Sequence, residues 1–330
     1  MNRRLSIGIV LSVLLLGLVL YRVDLSELFR SLKQGNPLLL LCATLSMLST
    51  LLFRAWRWKC LMESIKPIRI APLVSATSIG AMTDMVLPGR GGDVVRAWLI
   101  GHREDVSKMS SLATLVVEKM IDVVMVLLVA IPVLALVTFP GEMHQAVHSL
   151  RLMVIVLSVA CVSAIGLLVF FATRGEKVRE VAESKLAFLP IRWQGGAVNW
   201  IESFAFGLRT IRSGHQAITV FLQSLLLWLA FAASNYLILE AFSLQLPLYA
   251  ALLFLLFQVL GVTLPSSPGF IGTYHAAVVA ACSLFNVSNE MALGVAITMH
   301  AAFFFPFIIA GFVFLWREDL TLRSLRSLDA

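Results

Sequence analysis

Glu118, Lys119 and Asp122 lie inside one otherwise apolar run, residues 110–137. An ionisable side chain at membrane depth costs about 3 kcal/mol or more unless it is paired or hydrated. Glu118 and Asp122 are four residues apart and share a helix face. Two carboxylates on one face suit a cation, a proton or a partner arginine. Lys119 lies about 100° around the helix, where its long stem can carry the ammonium outward. The bland alternative is an ion pair that locks a helical bundle.

A second cluster follows the turn Leu87-Pro88-Gly89-Arg90-Gly91-Gly92. Arg90, Asp93 and Arg96 recur every three residues, so they share a face if a helix starts there. The glycines expose backbone N–H groups and allow a close approach, and a helix N-terminus favours an anion. Arginine forks grip phosphate through two parallel bonds. Together these residues make a site for a phosphate or lipid headgroup. Alternatively, Arg90 and Arg96 pair with Asp93, Glu118 or Asp122, and one arrangement can serve both purposes. Asp84 precedes the turn and adds an acid.

Arg54-Ala55-Trp56-Arg57-Trp58-Lys59 reads as an aromatic belt with basic anchors at the inner membrane face, or as a contact for lipid phosphate. The second half of the chain offers milder chemistry: Ser266, Ser267, Tyr274, His275 and His300. His275 sits six residues after Gly269 in a broken segment, and is either structural or part of a site.

Elements must hold these residues in place. Six apolar blocks, approximately 4–21, 37–55, 110–137, 151–173, 216–242 and 290–316, are long enough to cross about 30 Å of hydrocarbon. The first reads as a retained helix and not a cleaved signal. Two further blocks, 70–100 and 247–285, are each broken by proline and glycine, the second at Leu264-Pro265-Ser266-Ser267-Pro268-Gly269. Two short arms around a break suit a re-entrant hairpin or broken helix, which is tolerated where protein or a wet cavity receives the backbone. The stretch 174–214 is polar with amphipathic pieces and lies on the inner surface as a linker.

The composition agrees. Hydrophobic residues make up 59% of the 330 and charged residues 14%, against about 25% charged in soluble domains. Soluble enzymes, disordered chains and disulfide scaffolds are excluded, and block-like hydrophobicity excludes an outer-membrane barrel. The fold class is therefore all-α: one polytopic membrane bundle spanning 1–330. The net charge of +7 belongs to orientation and anionic lipid, not nucleic acid. With the N-terminus cytoplasmic, 19 basic residues fall inside and four outside. That asymmetry puts both termini in the cytoplasm of a plasma (inner) membrane protein. No P-loop, GxGxxG, DxD pair or metal-ligand spacing is present, so no cofactor is expected.

This topology carries a repeat. Span, broken block, span runs through 37–137 and, with opposite orientation, through 216–316. Leu87-Pro88 and Leu264-Pro265 each lie four residues before a glycine, Gly92 and Gly269. Inverted repeats with discontinuous helices near the midplane are transporter architecture.

The motifs Arg54-x-x-Arg57-Trp58, Asp84-x-x-Leu87-Pro88-Gly89-Arg90-Gly91-Gly92-Asp93-x-x-Arg96-Ala97, Glu118-x-x-x-Asp122 and Leu264-Pro265-x-Ser267-Pro268-Gly269-x-Ile271-Gly272 resemble the transmembrane region of lysylphosphatidylglycerol synthase/flippase proteins. The likeness covers about 5–316 and implies an inner-membrane lipid handler. Some members carry a soluble aminoacyl-transfer domain, which this sequence would lack. Asp84 stands where the family usually has Asn, and His275 where it often has Glu.

The resulting expectation is a flippase-like lipid translocase, not an enzyme by itself. Arg54, Arg57, Asp84, Arg90, Asp93, Arg96, Glu118, Asp122, Ser267 and His275 would bind an anionic headgroup. One acid of the Glu118/Asp122 pair would hold an arginine of the first broken block. The other would face the cavity and couple transport to protons. The alternatives are a membrane-embedded transferase on a lipid-phosphate carrier, or an accessory subunit beside a lipid-modifying enzyme.

Overall fold

The computed structural model describes residues 3–21, 23–87, 91–136 and 213–320. Arg90, the span 151–173 and the linker as far as residue 212 lie outside them. The described residues form helices and no strand. They are α1 (Arg3–Leu20), α2 (Leu25–Lys33), α3 (Pro37–Met62), α4 (Ile70–Val86), α5 (Gly92–Arg103), α6 (Lys108–Leu136), α7 (Gly214–Ala241), α8 (Leu248–Thr263), α9 (Thr273–Ser283) and α10 (Asn289–Arg317). Side-chain caps start several of them. Asp24 accepts the N–H groups of Ser26 and Glu27, Asn36 those of Leu38 and Leu39, Ser213 that of Gln216, and Ser288 that of Met291.

Three of these helices, α3, α7 and α10, are long and apolar enough to cross a membrane. Their outward faces carry Leu45, Leu52, Leu229, Phe305 and Ile309, all more than half exposed, a surface suited to lipid and not to water. α6 is as long as α10, at 29 residues. α4 and α8 are apolar but only 17 and 16 residues long, or about 25 Å at 1.5 Å per residue, short of a full span.

α3 differs from the expected span. It continues seven residues beyond position 55, to Met62. Arg57 and Trp58 hold this extension, because both are fully buried against other helices. An interfacial belt would leave them at the surface, and of that motif only Trp56 is exposed, at 46%. The segment between α1 and α3 folds as α2, whose Leu28 and Ser31 are buried against the Gly294 side of α10.

Both broken blocks fold as helix pairs. In the first, α4 ends at Val86, its cap residue Leu87 turns extended (φ −94°, ψ 139°), and α5 begins at Gly92. The two backbones touch there. A Cβ on Gly92 would strike the Gly80 carbonyl oxygen and come within 2.6 Å of the Asp84 carboxyl carbon. In the second, α8 ends at Thr263, a single 3-10 turn follows at Pro268–Phe270, and α9 starts at Thr273. Gly269 and Gly272 have φ of +74° and +94°, left-handed values that side chains rarely adopt. Gly272 lies against the Ser12 backbone of α1 and Gly269 against the Phe304 ring of α10.

Packing then fixes the levels. α3 runs along α7: Ser46 donates to the Ala230 carbonyl (2.9 Å), and Gln216 donates to the Cys60 carbonyl (2.9 Å). α4 runs along α10, where Gly311 lets the Met82 side chain in. The 3-10 turn of the second pair packs on α4, in the same cluster that joins Met85 to Phe270.

Candidate functional site

Four helices build a buried ion network. Glu118 of α6 accepts two bonds from Arg96 of α5, Nη1 to Oε1 and Nη2 to Oε2, each 3.1 Å. This is the parallel fork that makes Arg–carboxylate pairs strong. Arg57 of α3 places Nη2 3.3 Å from Glu118 Oε1 and donates from Nη1 to Asp122 (2.7 Å) and to Ser224 of α7 (3.1 Å). Asp93 lies 3.4 Å from Arg96 and 3.1 Å from Lys119. The Arg96 guanidinium stands 4.5 Å from the centre of the Trp58 ring, and the Trp58 indole donates to Thr114 (2.8 Å). Arg57, Arg96 and Glu118 are at most 3% exposed. Charges this deep persist only when each finds a counter-charge, and loss of one partner is costly.

Beside the network lies a cavity of about 400 Å³. Arg54, Asp84, Lys119 and Asp122 supply its polar wall, while Met47, Val126, Trp228, Phe231, Phe303 and Phe307 supply much of the rest. Two of the polar residues are left over from the ion pairing. Among the described residues Arg54 makes no salt bridge, and its Nε is buried without an acceptor. Asp84 accepts the Gly92 N–H (2.8 Å) and has no basic partner within 4 Å among the described residues. Lys119 is committed to Asp93 and Asp122 to Arg57. Among the described residues the cavity therefore presents a guanidinium without an ion pair and a carboxylate without a basic partner, on a wall that is otherwise mostly apolar. That combination can hold a charged head joined to an apolar body.

The expected residues divide accordingly. Arg54, Asp84 and Asp122 line the cavity, and Arg57, Asp93, Arg96 and Glu118 stand behind it. Both acids of α6 are held by arginine, so neither is left free, although Asp122 also faces the cavity. Ser267 and His275 are elsewhere. Ser267 donates its N–H to Ser12 Oγ (2.9 Å) and its hydroxyl to the Ile271 carbonyl (3.1 Å). His275 is buried, accepts the Gly272 N–H at Nδ1 (3.4 Å) and sits 4.8 Å from the His300 ring. His300 Nε2 lies 2.7 Å from the Gly269 carbonyl. These contacts brace the second turn, while its Phe270 and Tyr274 reach the cavity.

Two polar cavity residues, Thr263 and Gln258, escape the motif analysis. Gln258 of α8 exchanges two bonds with Asn235 of α7 (3.0 and 2.9 Å). Its sequence signal is an amide within an apolar helix, where such groups seek a partner helix. Among the described residues no three His, Cys, Asp or Glu side chains gather as a metal site.

Comparison with known proteins agrees with this picture of a membrane protein. No solved structure matches. A protein of Haloferax volcanii named Glycosyltransferase AglD is 26% identical over 326 aligned residues, covering 91% of this chain and 52% of the relative. The chain thus spans about half the length of that relative. The model of the family Lysylphosphatidylglycerol synthase TM region matches residues 5–311, nearly the full length. The chain belongs to that lysylphosphatidylglycerol synthase transmembrane-region family.

Proposed function

We propose that this chain is a lipid translocase, which carries a membrane lipid with an anionic headgroup across the bilayer. The observation that carries the proposal is the cavity, where Arg54, without an ion pair among the described residues, stands on a largely apolar wall. Lipid is the one abundant membrane solute with that combination of charge and hydrocarbon. Arg54 takes the headgroup phosphate, and the network of Arg57, Arg96, Glu118 and Asp122 holds the three helices around it rigid. Asp84, the cavity acid with no basic partner among the described residues, would carry a coupling proton.

On this reading the two helix pairs, α4–α5 and α8–α9, are re-entrant hairpins. Each belongs to one of two inverted repeats, about 37–137 and 216–316. The repeats rock about the cavity and expose Arg54 to each leaflet in turn. The protein sits in the inner membrane with both termini cytoplasmic, in keeping with the positive-inside distribution. A single-cysteine label at Asn289 reaching that position from the cytoplasm would refute this topology.

The name of the Haloferax relative favours a second reading, a transferase acting on a lipid-phosphate carrier, alone or beside a lipid-modifying enzyme. Purified protein in vesicles separates the readings. Labelled lipid that crosses unchanged supports translocation. A new lipid product supports the transferase. Neither outcome with folded protein refutes both and leaves an accessory role.

A further inference from the structure

We propose that the cavity opens sideways between α6 and α8, and that the hydrocarbon chains of the bound lipid leave it there into the bilayer. This rests on the lipid reading above and adds the path of the chains.

The first observation is volume. Sites that enclose a drug-sized ligand run to about 300–1,000 Å³. A cavity of about 400 Å³ accommodates a headgroup and the first methylenes, but not two long chains as well. If the phosphate meets Arg54, the chains must lie outside.

The second observation is where α6 and α8 pack together and where they do not share a buried cluster. At one end they are closed: Val133 and Leu253 are buried in one cluster with Val129, Leu252 and Leu256. This pairing makes the helices antiparallel, and Val126 lies with Val259 in a neighbouring cluster. Toward the N-terminal end of α6 and the C-terminal end of α8 both helices line the cavity, α6 through Lys119 and Val123 and α8 through Val262 and Thr263. Lys119, Val123 and Thr263 are exposed there and Val262 is half-buried. Val123 is 43% exposed while forming cavity wall, which marks it as rim.

The third observation is the chemistry of the rim. Val123, Val262 and the flanking Val259 are apolar, and the outer face of α6 continues as Leu128 and Ile131, both exposed. Water offers such a rim nothing, and hydrocarbon costs it nothing. The ammonium of Lys119 is paired with Asp93 at 3.1 Å, so its charge at the rim is neutralised. Charge complements this inside, where Arg54 supplies the cation that an entering phosphate requires.

The test uses the full chain in phosphatidylcholine vesicles containing a small fraction of phosphatidic acid. One acyl chain of that lipid carries a diazirine midway. After illumination, adducts are mapped by peptide mass spectrometry. The portal predicts adducts near Val123 and near Val262–Thr263. It also predicts that they fall roughly tenfold or more in Arg54→Gln, since a lost charge-assisted bond of about 1.5–3 kcal/mol has that effect. Rim adducts that are equally strong in Arg54→Gln would be ordinary boundary lipid and overturn the proposal. Arg54-dependent adducts confined to Met47 and Phe307 would overturn it too, while leaving the headgroup reading intact. If no adduct anywhere depends on Arg54, the reading itself fails. Val123→Trp, outside the ion network, provides a second arm. It should slow crossing of the two-chain lipid, and an unchanged rate would also overturn the portal.

Discussion

Glu118→Gln is the sharpest test of the ion network. The carboxylate serves Arg96 through both oxygens at 3.1 Å and Arg57 at 3.3 Å. An amide keeps the shape but turns one acceptor into a donor that faces a guanidinium. Arg57, Arg96 and Lys119 are balanced by Asp93, Glu118 and Asp122, so the substitution leaves one buried positive charge without a counterpart. Removing one member of a buried pair costs about 3–5 kcal/mol. Asp122 and Asp93 remain to help, which favours the lower end, about 3 kcal/mol. At about 2–4 °C per kcal/mol for chains of a few hundred residues, the midpoint of thermal unfolding in mild detergent falls by roughly 6–12 °C. Fluorescence-detected size exclusion after graded heating reads this directly. Asp122→Asn should cost less, because Arg57 retains Ser224 and Glu118. The charge-neutral double variant Arg96→Leu/Glu118→Leu leaves the Arg57–Asp122 pair in place and should be more stable than Glu118→Gln alone. The reasoning fails if Glu118→Gln melts with the wild type, or if the double variant is worse than the single.

Other sites make separate predictions. Gly92→Ala puts a methyl against the Gly80 carbonyl and the Asp84 carboxylate; it should cost about 1–3 kcal/mol by overpacking, measured by the same melts. Asn235→Leu strands the Gln258 amide and should cost about 1–3 kcal/mol, whereas adding Gln258→Leu should recover much of the loss; a double-mutant cycle measures the coupling. Arg54→Gln should leave the melting midpoint nearly unchanged, because it breaks no ion pair among the described residues. A large drop would show that Arg54 is structural.

Much of the architecture is written in local sequence. Long apolar blocks could only become helices, and the proline–glycine turns at Pro88 and Pro265 ended them where the structure has its breaks. The first-half charges were also legible, since an ionisable group in an apolar run has to find a partner. What local sequence could not reveal is which partner. Arg57 looks like an interfacial anchor until Glu118, Asp122 and Ser224, from two distant helices, close around it. Arg54, three residues earlier on the same helix, is thereby left to the cavity. Ser267 and His275 look like site residues by their place after a break, yet their bonds go to the turn itself. Gln258 was hidden for the opposite reason: a single neutral amide in an apolar helix gives a weak signal.

Lipid crossing as a function of Arg54 tests the central claim most directly. Fluorescent phosphatidylglycerol is placed in the inner leaflet of vesicles containing wild type or Arg54→Gln, matched for folded protein, and its arrival outside is followed by quenching. The account predicts acceleration by the wild type and a loss of roughly tenfold or more in the variant, with equal melting midpoints. Folded wild-type protein that leaves the crossing rate unchanged, or an Arg54→Gln protein as fast as wild type, would contradict it.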